Sequence, residues 1–117
     1  MNLRVERLGP VTLVVAAGRL DHAAAAAFQS QLEELTGAGE GATALVVDCA
    51  ELEYVASAGL RVFLLAAKNC QRTGRYFAAC TLQNAVREVF ELSGFARIIP
   101  LHPDRAAALA AAQSRPA

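Results

Sequence analysis

The chain has 117 residues, 11 basic and 11 acidic side chains, a formal net charge of zero, and a hydrophobic fraction of 55%. At this length one domain is the default, with enough chain for a two-layer core that needs no disulfide or metal staple. The charge balance argues against bulk attraction to nucleic acid or anionic lipid, and the apolar content excludes general disorder.

In chain order, Leu3 and Val5 alternate with Asn2, Arg4 and Glu6, the pattern of a half-exposed strand. Gly9-Pro10 signals a turn. Val11 to Ala17 is nearly continuous in apolar and β-branched residues, as in a strand buried on both faces, so the chain opens with an antiparallel hairpin. Gly18-Arg19-Leu20-Asp21 is expected to end that strand, with Asp21 capping a helix over His22–Thr36. Ala24, Phe28, Leu32 and Leu35 recur on one face of this helix, and Gly37 to Gly41 stops it.

Ala44 to Cys49 reads as a central buried strand and Ala50 to Ala56 as a loop carrying Glu51 and Glu53. A helix follows from Ser57 to about Arg72. Its inner face is Leu60, Phe63, Leu64 and Ala67, and its other face, with Val62, Leu65 and Ala66, is also apolar. That second face is open to a partner or is covered by another element. Further on come a short strand at Tyr76–Cys80, a helix at Leu82–Ser93 with Gly94 in the left-handed position, and a strand at Arg97–Leu101. An Ala-rich helix at Pro103–Gln113 and a frayed tail at 114–117 complete the chain. Strands alternating with helices predict right-handed crossovers. The expected fold is therefore α/β, a mostly parallel five-stranded sheet with one antiparallel edge pair and about four helices.

The apolar runs Ala42–Cys49 and Val62–Ala67 are far shorter than the roughly 20 residues that span a bilayer. Arg4, Glu6 and Arg7 interrupt the place where an apolar leader would start. The three cysteines, Cys49, Cys70 and Cys80, lack C-x-x-C spacing, and an odd count fits a reducing compartment. These features predict a soluble cytoplasmic protein. His22 and His102 sit in different loops, no Gly-rich phosphate loop is present and no cluster has metal-ligand spacing, so neither metal nor cofactor is expected. Arg72 and Arg75 flank a turn and read as solubilising charges, with a basic patch as the other reading.

The segment Tyr54-Val55-Ala56-Ser57-Ala58-Gly59-Leu60-Arg61 lies on the carboxyl side of a parallel strand, where open α/β sheets expose functional groups. Local sequence grammar makes Ser57 an N-cap whose hydroxyl accepts from the N–H of Gly59 or Leu60. Ala58 and Gly59 are small enough for a partner to approach the backbone. The absence of a G-x-S-x-G elbow and of a histidine in the motif argues against Ser57 as an enzyme nucleophile.

Three segments, Gly18-Arg19-Leu20-Asp21-His22, Leu45-Val46-Val47-Asp48 and Val55-Ala56-Ser57-Ala58-Gly59-Leu60-Arg61-Val62, together resemble the STAS-domain proteins of the anti-sigma factor antagonist family over nearly the whole chain. The third segment typically reads D-S-S-G-L there, and the phosphorylated serine corresponds to Ser57. The resemblance implies a single STAS-type domain over residues 1–113 and a partner-switching module. The unphosphorylated form would bind an anti-sigma factor serine kinase and free a sigma factor, phosphorylation at Ser57 would release it, and a PP2C-type phosphatase would reset it. The expected partner surface comprises Asp21, His22, Glu53, Ala56, Ala58, Gly59, Leu60 and Val62, on a monomer or weak dimer without nucleic-acid binding or membrane insertion. Ala56 and Ala58 replace the usual aspartate and second serine. The alternative is a constitutive STAS scaffold, or a regulatory subunit of a transporter complex, in which Ser57 only caps a helix.

Overall fold

A computed structural model describes residues 1–37 and 42–114. The apolar stretch Val11–Leu20 forms β2, which pairs antiparallel with the edge strand β1 (Asn2–Leu8). The turn between them places Gly9 at φ 61°, a left-handed conformation that glycine adopts without a Cβ clash. On the other side of β2 run β3 (Ala44–Val55), β4 (Tyr76–Cys80) and the two-residue β5 (Leu101–His102), all parallel, so the five strands lie in chain order.

Parallel neighbours require crossovers, supplied by α1 (His22–Gly37), α2 (Ser57–Arg72) and α3 (Asn84–Leu92). When such strands advance steadily across a sheet, right-handed crossovers put every connecting helix on the same face. Phe28, Leu32, Phe63, Val86 and Phe90 accordingly share one core with Val14, Ala16, Leu45 and Val47. Phe63 sits at its centre, 5.5 Å from the Phe28 ring, 6.4 Å from Phe77 and 5.1 Å edge-on to Phe90. These contacts tie α2 to α1, β4 and α3. α4 (Arg105–Gln113) covers the opposite face, where Ala108 and Ala112 pack on Val11, Leu13, Ala44, Val46 and Cys80. Its side chains are so short that packing alone holds it weakly. Arg105 adds a polar clamp, its Nε and Nη2 both 2.9 Å from Oδ2 of buried Asp48, whose Oδ1 accepts the Ala50 N–H at 3.0 Å.

The mixed sheet, the opening hairpin and the four helices are as the sequence predicts, and several boundaries differ. β2 does not stop at Gly18, and residues 51–55 form the continuation of β3 rather than a loop. Ala17 pairs with Glu51 and Leu20 with Val55. Between Val15 and Ala17, and again between Gly18 and Arg19, β3 carries one more residue than β2, so two bulges interrupt the ladder. The buried positions of β3 then fall at Cys49, Leu52 and Val55, a spacing of three that hides the strand from a search for alternation. α3 begins at Asn84, two residues later than Leu82, because Gln83 is extended (φ −64°, ψ 152°) and stands outside the helix as its cap residue. The strand expected at Arg97–Leu101 is a 3-10 turn over Phe95–Arg97 followed by the short β5. α4 starts at Arg105 and not at Pro103, because Asp104 caps it by accepting the Ala107 N–H at 2.8 Å. Gly94 has φ 82°, the expected left-handed position. The stop expected over Gly37–Gly41 and the tail beyond Ser114 lie, from residue 38 to 41 and from 115, outside the described residues.

All three cysteines are buried and unpaired. Burial pushes the Cys70 thiol up to about 11, with Arg75 drawing it partly back, and burial likewise raises Cys49 and Cys80. A folded value above the unfolded one means that these thiols do not weaken the fold below the unfolded value, 9.0 for Cys70, and weaken it as pH rises towards about 11. Near neutral pH none of the three should react with a thiol-specific disulfide reagent in the native protein, and all should react in denaturant. Rapid stoichiometric labelling of the native form would contradict the buried assignment.

Candidate functional site

The carboxyl ends of β2 and β3 finish level, with Leu20 opposite Val55, and each strand runs straight into a helix. Two contacts lock the junction. The Ala56 N–H donates to the Leu20 carbonyl at 2.9 Å, and Gly59 lies against Leu20 so closely that a Cβ there would sit 2.5 Å from Leu20 Cγ and 3.1 Å from its carbonyl oxygen. Gly59 is therefore required by packing at an ordinary helical position. The starts of α1 and α2 are thereby held side by side, with Asp21 and Ala56 as neighbouring entry residues.

The two starts are treated differently. Asp21 Oδ1 accepts the Ala24 N–H at 2.9 Å, the cap the sequence predicts. α2 begins at Ser57 after Ala56, whose φ of −83° and ψ of 167° suit a cap position but whose methyl group can accept no hydrogen bond. Ser57 is not the cap: it is the first helical residue, and the expected bond from its hydroxyl to the next turn is not made. Its side chain is exposed and has no hydrogen-bond partner among the described residues. The first-turn N–H groups, which have no acceptor within the helix, remain directed outward at the positive end of the helix dipole.

Of the residues expected at a partner surface, His22, Glu53 and Ser57 are exposed and Asp21, Ala56 and Ala58 are half-buried at the same rim. Gly59, Leu60 and Val62 are not on the surface. Gly59 is under Leu20, Leu60 is 8% exposed and Val62 3% exposed. The apolar second face of α2 is covered by α1, since Val62 and Ala66 meet Leu32 and Gln29 there. Val62 and Ala66 therefore pack in the interior, and Leu64 and Ala67, expected inside, are half-buried. Glu53 lies in the second bulge of β3, the extra residue between the paired Leu52 and Tyr54.

One feature of the rim was not legible in advance. Arg19 stacks over the Tyr54 ring with its guanidinium carbon 4.3 Å from the centroid, and Tyr54 remains 41% exposed. The two are paired across the ladder, so only the bulged register reveals the contact. Among the described residues, no group of three or more His, Cys, Asp or Glu side chains is placed to hold a metal ion, and no helix is long and apolar enough to cross a membrane.

Residues 3–102 match the family model described as Mlab, STAS domain. The chain is 36% identical over 111 residues to BtrV of Bordetella bronchiseptica, named as a candidate anti-sigma factor antagonist, with 95% of this chain and 94% of that protein covered. The chain belongs to the STAS-domain family. Among solved structures, an anti-sigma factor antagonist from Mycobacterium paratuberculosis superposes with a TM-score of 0.86 at 23% identity, over 97% of this chain and 94% of that one. The anti-sigma factor antagonist SpoIIAA in its unphosphorylated form gives 0.82 at 16% identity, over 99% and 100%. Its phosphorylated form, from Bacillus, gives 0.71 at 17%, over 93% and 97%. At these identities the structural likeness establishes the fold.

Two substitutions test the junction. Gly59→Ala should destabilise the protein by about 1–3 kcal/mol through the forced Leu20 contact, and in the double variant with Leu20→Ala the losses should be less than additive in denaturant titrations. Ala56→Asp should do the opposite, supplying the missing acceptor and raising stability by about 0.5–2 kcal/mol. An unchanged midpoint for Ala56→Asp would mean that the first-turn N–H groups are satisfied in another way.

Proposed function

We propose that this protein is an anti-sigma factor antagonist that works by partner switching, as a regulator rather than an enzyme. Its unphosphorylated form binds an anti-sigma factor serine kinase in the cytoplasm and so frees a sigma factor. Phosphorylation of Ser57 releases it, and a PP2C-type phosphatase restores the binding form. The observation that carries this reading is the exposed, unpartnered Ser57 hydroxyl on the first turn of an α2 that has no side-chain cap.

A phosphate on Ser57 adds about −1.5 to −2 charges at a helix start whose N–H groups and dipole favour an anion, so the fold tolerates it. The partner does not, because an apolar contact formed over Ala56 and Ala58 would have to bury a dianion close to Asp21. Binding is lost with little change of shape. The proposed contact surface is His22, Glu53, Ala56, Ser57, Ala58 and the rim of Asp21, to which the stacked Arg19–Tyr54 pair adds residue types favoured at the centres of interfaces. Gly59, Leu60 and Val62 support it from beneath. A coupling of about 3 kcal/mol between phosphorylation and binding corresponds to more than a hundredfold in affinity.

The aspartate usually found before the phosphoserine is Ala56 here, and this favours a second reading, a constitutive scaffold or regulatory subunit of a transporter complex. The readings separate experimentally. Incubation with the cognate kinase and ATP should place phosphate on Ser57 alone by mass spectrometry. Ser57→Asp should weaken kinase binding at least tenfold, and Ser57→Ala should preserve it. Phosphate elsewhere, or kinase binding by Ser57→Asp at full strength, would remove the switch. Co-purification with membrane components regardless of residue 57 would then point to the scaffold.

A further inference from the structure

At the far end of α2 from Ser57, the last turn of that helix, the start of β4 and the segment before β5 enclose a groove of about 400 Å³. One part of its wall is polar, formed by Lys68, Gln71 and Arg75, and another is apolar, formed by Phe77, Ile98 and Pro100. No acidic residue lines it. Nη1 of Arg75 is buried without a hydrogen-bond partner, and neither Arg75 nor Lys68 takes part in an ion pair among the described residues. Ile98, on the apolar side, is 56% exposed.

Cations near a helix carboxyl end often serve its free carbonyls. Here that need is met by other groups. The Asn69 and Cys70 carbonyls accept from the Thr73 N–H and hydroxyl, Cys70 also from the Arg75 N–H, and Gln71 from the Gly74 N–H. Nη1 of the half-buried Arg75 guanidinium is thus a buried donor without an acceptor, in a groove it shares with the Lys68 ammonium and exposed aliphatic surface. A guanidinium fork and an ammonium together recognise carboxylate or phosphate oxygens, and the Phe77, Ile98 and Pro100 wall accepts an apolar body.

We propose that this groove binds a small organic anion, a carboxylate or phosphate carried on an apolar group. The groove meets α2 at Ala67, Lys68 and Gln71, which the helical rise places about 15–21 Å along the helix from Ser57, so occupancy does not compete directly with the Ser57 surface. The site stands or falls independently of the phosphorylation switch.

The test is a titration of the full-length, isotopically labelled protein followed by backbone amide resonances, with phenyl phosphate, benzoate, inorganic phosphate and phenol as probes. Phenyl phosphate or benzoate should give saturable shifts centred on Gly74, Arg75 and Ile98, and whichever head group binds more tightly identifies the anion. Inorganic phosphate and phenol should each bind about tenfold more weakly than the aryl anion. Arg75→Met should abolish the shifts while leaving the thermal midpoint unchanged or higher, since it removes an unpaired buried donor. Lys68→Glu, at an exposed position, should weaken binding about tenfold without affecting folding. No saturable shift with either aryl anion, shifts that survive in both variants, or shifts centred on the Ser57 turn would overturn the proposal.

Discussion

The contact between Leu20 and the first turn of α2 is the constraint on which the functional end of the molecule depends. A parallel pair of strands ending level does not by itself fix where the following helices start. The Ala56 N–H bonded to the Leu20 carbonyl fixes the entry point of α2, and the missing side chain at Gly59 lets its first turn settle onto Leu20. Asp21 follows Leu20 directly, so the same contact also places the start of α1. Every group proposed to meet a partner is positioned from this junction, and the Phe63 cluster behind it gives α2 a rigid backing.

The two helix starts at the junction carry opposite chemistry. Asp21 spends its carboxylate on its own helix and adds a negative charge to the rim. Ala56 and Ala58 leave the start of α2 uncharged and sterically open. On a chain with zero net charge, the proposed phosphate at Ser57 would be the largest local charge at that end of the sheet. The alanine excess acts in two places: at the proposed partner rim it clears space around Ser57, and in α4 it allows close packing on the sheet, with the Asp48–Arg105 clamp fixing a helix that has little apolar bulk.

Much of the fold was legible in the sequence because its signals are local. The hairpin at Gly9-Pro10, the span of β4 and the Asp21 cap follow from residue types and spacing. The misreadings of residues 51–54, Ser57 and Val62 share a physical cause, which is that neighbouring elements override local pattern. Glu51 to Tyr54 look like a loop because two bulges change the burial period, and only β2 beside them makes a strand of that segment. Ser57 looks like a cap because serine is a good one, yet the Leu20–Ala56 hydrogen bond moves the helix start one residue earlier. Val62 looks free because nothing in its own segment announces that α1 lies across it. The resemblance located Ser57, and the structure supplied its exposed and uncapped setting.

The central claim is that phosphorylation changes the charge of a surface without rearranging the fold beneath it. Comparison of backbone amide resonances in the unmodified and Ser57-phosphorylated protein tests this directly. The changes should be confined to the start of α1, the first turn of α2 and the Arg19–Tyr54 pair, with the residues around Phe28, Phe63 and Phe90 unmoved. Shifts spread through that aromatic core, or into the β1–β2 hairpin, would mean that the switch is conformational and would contradict the claim.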